Sequence, residues 1–266
     1  MNRIDQLFQR LRAENKKALA AFYTAGFPDA PGSLRLIFDA LDAGADLIEL
    51  GVPFSDPSAD GPAIQAASQK ALANGTTLPD VLQTARAIRA RNATAPLILF
   101  TYFNPLFQHG LARVAREAKD AGVDAFLVVD LPFEESEEFA QFLRPEGLVL
   151  IPLVSPATSR RRAGEILKNA GGFVYYVSVK GVTGGTGGRD DFAEVGARVA
   201  EVRTVTSLPV LAGFGISTPE DAARMGRVAD GIVVGSAFMR LAERYGGEEL
   251  FARNATLVRG LKGAVA

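Results

Sequence analysis

The chain has no cysteine, no tryptophan and one histidine, His109, in 266 residues. Without cysteine there are no disulfides, no thiolate metal sites and no cysteine nucleophile. A lone histidine argues against a histidine metal cluster or a Ser-His-Asp triad, so no metal site is expected. Charge of one sign is also missing: 29 Lys and Arg face 30 Asp and Glu, and no basic block appears. A nucleic-acid surface is therefore not expected. No apolar run approaches a membrane span, and MNRIDQLFQRLRAENKK at the start is amphipathic and charged rather than a secretory leader. These absences leave a soluble, cytoplasmic protein whose chemistry must come from carboxylates, tyrosine, lysine and backbone.

What is present is a repeated pattern. Ile4, Leu7, Phe8 and Leu11 fall on one face of an opening helix. Short apolar runs then follow at 18–26, 46–52, 96–102, 125–130, 148–154, 173–179, 209–215 and 231–236, with helical stretches between them. DAGADLIEL (42–50), DAGVDAFLV (120–128) and NAGGFVYYV (169–177) each end a helix at Ala-Gly and launch an apolar strand. Eight strand–helix units in a chain of this length predict an α/β protein, a single (β/α)8 TIM barrel over residues 1–266 with an extra N-terminal helix. A doubly wound open sheet is the alternative.

In a barrel the chemistry sits at the C-terminal ends of the strands. If Ile48 and Leu50 face the helices, alternation turns Glu49 inward, where burial raises its pKa toward a general acid/base. The competing role is a buried ion pair, but the strand segments carry almost no basic residues. Asp56 and Asp60 follow on a loop stiffened by Pro53, Pro57 and Pro62. They suit either substrate contact or helix capping. Glycine-rich exits follow the last three strands: GVTGGTGG (181–188), Gly213-Phe214-Gly215 and Gly235-Ser236. Three such exits, with Thr218-Pro219 as a helix start, point to a bound phosphate. Lys180 could form a Schiff base with a carbonyl substrate, as in a class I aldolase, or remain a solvated lysine. Tyr175 and Tyr176 are consecutive, so one faces inward, and alternation alone leaves open which. Phe22 and Tyr102 suit a flat apolar portion of a substrate, or ordinary packing.

ELGVPFSDPSADGP (49–62), FTYFNP (100–105), VVDLPFEES (128–136), GVTG (181–184), GFGIS (213–217) and GSA (235–237) resemble the tryptophan synthase α chain family along the whole chain. The resemblance implies a (β/α)8 barrel that cleaves indole-3-glycerol phosphate to indole and glyceraldehyde 3-phosphate without a cofactor. It implies an α2β2 heterotetramer with a β chain, pyridoxal phosphate being held only there. By the same resemblance Glu49 is the acid/base and Asp60 the carboxylate facing the indole N–H. Tyr175 is the inward tyrosine near the substrate. Phe22, Phe100, Leu127 and Val129 match the indole pocket, and Thr183 matches the loop residue that orders Asp60. Gly184, Gly213, Phe214, Gly215, Gly235 and Ser236 match the phosphate site, and the loops at 53–60, 103–107 and 131–133 match the β-chain contact. Two departures stand out. Ser58 replaces an aliphatic residue, and Gly185-Thr186-Gly187-Gly188 precede Arg189, which lengthens the lid. A non-catalytic barrel that binds and activates a partner, or a stand-alone indole-producing lyase, are further readings of the same chain.

Overall fold

Each predicted apolar run becomes a parallel strand. The structure, a computed structural model, describes residues 2–177, 191–213 and 215–266. Its strands are β1 (Ala18–Thr24), β2 (Leu47–Gly51), β3 (Leu97–Thr101), β4 (Ala125–Val128), β5 (Val149–Leu150), β6 (Leu153–Val154), β7 (Val174–Val177), β8 (Val210–Gly213) and β9 (Gly231–Val234). The helices are α1 (Arg3–Ala13), α2 (Ala30–Asp42), α3 (Pro62–Ala73), α4 (Leu78–Arg91), α5 (Phe103–His109) and α6 (Leu111–Asp120). Beyond these lie α7 (Glu137–Leu143), α8 (Arg160–Leu167), α9 (Asp191–Arg203), α10 (Pro219–Gly226), α11 (Ser236–Arg244) and α12 (Gly247–Val265).

The sheet runs β5-β4-β3-β2-β1-β9-β8-β7-β6, so the first strand pairs with both the second and the last. Its two edges, β5 and β6, are halves of the single predicted run 148–154. Proline has no N–H to give a ladder, and Pro152 splits that run. The barrel still closes there. Ile151 N–H donates to the Phe126 carbonyl at 2.8 Å, and the Pro152 carbonyl accepts from Tyr175 N–H at 2.9 Å. The result is an eight-position barrel, and the open-sheet alternative falls.

Alternation sorts the strand residues into two cores. Ile48, Leu50, Leu99 and Phe126 pack outward against the helices. Leu47, Ile98, Ala125, Leu127 and Leu211 pack inward, and with them lie Ile4, Leu7, Phe8 and Leu11 of α1. The opening helix therefore plugs the N-terminal end of the barrel and leaves the other end for a site. A capping box between Asn2 and Asp5 starts it.

Three aspartates repeat one device at the plugged end. Asp46, Asp124 and Asp230 each precede an even-numbered barrel position and accept the N–H of Leu19, Leu97 and Val210 respectively, at 2.8–2.9 Å. Each is also ion-paired: Asp46 to Lys262, Asp124 to Arg3 and Arg89, Asp230 to Arg203. The sixth barrel strand departs from this rule. Phe173 stands there instead, buried against Phe8.

One helix was not foreseen. FNPLFQH, expected as a loop, forms α5, because proline is tolerated in a first helical turn and Asp130 accepts the Phe103 N–H at 2.7 Å. The acidic run 134–143 opens with a 3-10 turn at 133–135 before α7.

Candidate active site

Glu49 lies mid-strand in β2, in register with Phe22 on β1 and Ile98 on β3. It is fully buried, and neither carboxyl oxygen has a hydrogen-bond partner. Burial without a partner penalises the charged form and pushes its pKa from 4.5 up to about 8. A carboxyl in that state is a proton donor at neutral pH.

Asp60 sits where the proline-bearing loop turns into α3, and it too is buried. The Tyr102 hydroxyl donates to its carboxylate at 2.9 Å while accepting the Ala59 N–H at 2.9 Å. One hydroxyl thus fixes both the carboxylate and the backbone before it. Burial pushes the Asp60 carboxyl up to about 6, against the pull of the Tyr102 hydrogen bond. Asp60 therefore carries its charge at neutral pH while Glu49 keeps its proton. Tyr102 also packs its ring on Phe54, with centroids 5.0 Å apart. Asp56, by contrast, is exposed, and its carboxylate accepts from its neighbour Ser55.

The tyrosine parity left open by the sequence is visible in the ladder. Tyr175 pairs with Leu153 and Leu211 and packs in the inner core, whereas Tyr176 lies in the outer one. The Tyr175 hydroxyl is held well above its ordinary pKa, first by burial and then by the charges of Glu49 and Asp60. Three groups that can hold or move protons thus share one chamber.

Phe22 and Phe100 meet edge-on across that chamber, 5.1 Å between centroids. Leu127 and Val129 continue the apolar wall from β4. Glycine makes the room. A Cβ on Gly51 would lie 2.6 Å from the Phe22 ring, on Gly235 3.2 Å from it, and on Gly213 2.9 Å from the Tyr175 hydroxyl oxygen. Gly215 has φ +49°, in the left-handed region. Ser236 opens α11, where first-turn N–H groups have no helical carbonyl to meet and favour an anion. Thr218 caps α10 with Pro219 and Asp221, as the sequence predicts.

Thr183, Gly184, Phe214 and Lys180 lie outside the described residues, as does the glycine run 185–188. Among the described residues no group of three His, Cys, Asp or Glu could hold a metal ion, and no helix is long and apolar enough to cross a membrane. One residue the sequence reading passed over belongs to the chamber wall: Thr24, buried at the end of β1 with an unpartnered hydroxyl. A threonine in a strand looks like any other β-branched strand former, so its spacing carries no signal.

A parallel barrel plugged at one end, with two buried carboxyls of separated pKa toward the other, defines the class: a (β/α)8 barrel enzyme. The chain belongs to the tryptophan synthase alpha chain family, whose model matches residues 8–265. It is 48% identical over 267 residues to the tryptophan synthase alpha chain of Geotalea daltonii, covering all of both chains. That of Geobacter sulfurreducens is 47% identical, over the whole of this chain and 99% of its own. Among solved structures, tryptophan synthase subunit alpha from Legionella pneumophila superposes with a TM-score of 0.91 at 36% identity, covering 100% of this chain and 98% of its own. A chain of tryptophan synthase from M. tuberculosis, in its aminoacrylate-bound form, gives 0.89 at 29% identity over the full length of both.

Proposed function

We propose that Glu49, Asp60 and Tyr175 carry out the family's lyase reaction, the cleavage of indole-3-glycerol phosphate to indole and glyceraldehyde 3-phosphate. The observation that carries this reading is Glu49, fully buried, unpartnered and protonated near neutral pH beside a charged Asp60. Glu49 gives its proton to C3 of the indole ring, and positive charge develops at the ring nitrogen. Asp60 stabilises that charge through the N–H. The resulting carboxylate of Glu49 takes the proton of the hydroxyl on the carbon bonded to C3. The carbon–carbon electron pair then returns to the ring as the hydroxyl carbon becomes an aldehyde. Glu49 ends as it began, protonated.

Phe22, Phe100, Leu127 and Val129 form the indole pocket in this reading, and Tyr102 serves it by holding Asp60. Tyr175 keeps its proton and donates toward the substrate. Gly213, Gly215, Gly235 and Ser236 seat the phosphate, with Thr183, Gly184 and Phe214 completing the closure. The reaction needs no cofactor, because a ring that accepts a proton already supplies the electron sink. The chain works as one domain in the cytoplasm, beside a β chain that holds pyridoxal phosphate and consumes the indole. Phe107 and Phe133, 55% and 42% exposed after β3 and β4, lie on the same rim as the site and support that seat.

The deciding measurement is indole release by the purified chain. Glu49→Gln and Asp60→Asn are each expected to fold and to lose at least about 100-fold in cleavage rate. Activity within a few-fold of the unmutated chain would sink the role given to that residue.

A further inference from the structure

Among the described residues four buried side-chain oxygens lack a hydrogen-bond partner: both oxygens of Glu49, the Tyr176 hydroxyl and the Thr24 hydroxyl. Tyr176 belongs to the outer core. Thr24 does not. It is 1% exposed and ends β1, and alternation from Ala20 and Phe22 puts it on the interior face. It pairs with Gly51 while Phe22 pairs with Glu49, so Thr24 stands one layer nearer the mouth than Glu49, on the neighbouring strand. Three of the four orphaned oxygens therefore face one chamber.

A buried hydroxyl with no partner costs roughly 1–3 kcal/mol, and valine would fill the same volume without that cost. Sheet order indicates what the hydroxyl meets. β1 lies between β2, which carries Glu49, and β9, which leads to Gly235 and the start of α11. On the functional reading above, C3 of the ring sits at Glu49 and the phosphate at Gly235 and Ser236. The hydroxylated carbon chain joining them must pass over the end of β1, where Thr24 is the inward side chain. Gly51, next to it, has no side chain to obstruct that path.

We propose that the Thr24 hydroxyl binds the non-reacting hydroxyl of the substrate's carbon chain and so holds the adjacent carbon against Glu49. A threonine hydroxyl both donates and accepts, which matches a secondary alcohol that does the same. A site built to bond a hydroxyl also discriminates against a substrate lacking it. This inference rests on the functional reading, and the test separates the two.

Thr24→Val and Thr24→Ser are compared with the unmutated chain in indole release, in binding of indol-3-ylpropyl phosphate (the substrate with both chain hydroxyls removed) and in thermal unfolding. Thr24→Val is expected to lose roughly three- to thirtyfold in kcat/KM while Thr24→Ser stays within about twofold. Thr24→Val should bind the hydroxyl-free analogue as tightly as the unmutated chain and melt no lower. Unchanged kcat/KM in Thr24→Val, or an equal loss of affinity for the hydroxyl-free analogue, overturns the proposal. No indole release from the unmutated chain sinks the functional reading and this inference with it.

Discussion

Burial that makes Glu49 a useful acid also makes it expensive to hold. In the unfolded chain its carboxyl titrates near 4.5, and in the folded one near 8. Between those values the folded state binds a proton that the unfolded state has released. Its contribution to stability is therefore complete below about pH 4.5 and is lost as pH rises through 8. Glu49→Gln removes this liability. Its advantage in thermal unfolding over the unmutated chain should widen from pH 5 to pH 9, reaching on the order of 5 kcal/mol. On the proposed roles the same two groups have opposite requirements in catalysis: Asp60 must be charged and Glu49 protonated. The profile of kcat/KM for cleavage should be bell-shaped, with limbs near pH 6 and pH 8. A flat profile from pH 5 to 9 would separate these carboxyls from the chemistry. At this scale Glu49 was legible from alternation alone, because a single acid in an apolar run has two faces to choose between. Asp60 was not, since a loop aspartate before Gly-Pro looks the same whether it caps a helix or faces a ligand. Its hydrogen bond to Tyr102 spans 42 residues, a separation that no local pattern encodes.

Elements follow local rules more closely than side chains do. The runs that ended helices at Ala-Gly and launched strands became β2, β4 and β7, and the amphipathic start became α1. The errors came where a local rule has an exception. Pro105 looks like a loop former yet sits in the first turn of α5, and Pro152 splits a run whose apolar pattern predicts one strand. Nor did the sequence distinguish the three aspartates at the strand bottoms from ordinary solvated residues, because their partners arrive from distant helices. Asp124 is the most buried-in of these arrangements. It accepts from Leu97, and it is shared by Arg3 of the plug helix and the largely buried Arg89 of α4. Asp124→Ala leaves Arg89 without its counter-charge and one strand N–H unmet. It should cost about 3–5 kcal/mol, read as a lower urea midpoint, with kcat per folded molecule unchanged.

At the scale of the whole molecule, the plug at one end leaves the other free for both substrate and partner. Phe54 of the proline-bearing loop packs its ring at a tilt on Tyr102, which holds Asp60, so contacts run unbroken from that rim to the carboxylate. Phe107 lies farther out on the same rim and is the most exposed large apolar side chain among the described residues. Phe107→Asp should weaken association with a β chain by at least about tenfold in calorimetric titration, with cleavage by the isolated chain within twofold of the unmutated rate. Equal affinity would move the contact elsewhere.

The interrupted fifth barrel strand has a consequence for how the ring shares its load. Three strand pairs are latched at the bottom by Asp46, Asp124 and Asp230; the fifth and sixth positions lack that latch, and the fifth strand is also interrupted. A cavity of about 700 Å³ lies beside them, walled by Leu131, Leu150, Leu153 and Ile166. Pairing the strands two by two, only the fifth–sixth pair lacks such a latch, and its backbone amides are expected to exchange faster than those of the three latched pairs. That pair includes the strand that delivers Tyr175, so local opening there is expected to reach the chamber through Tyr175 first.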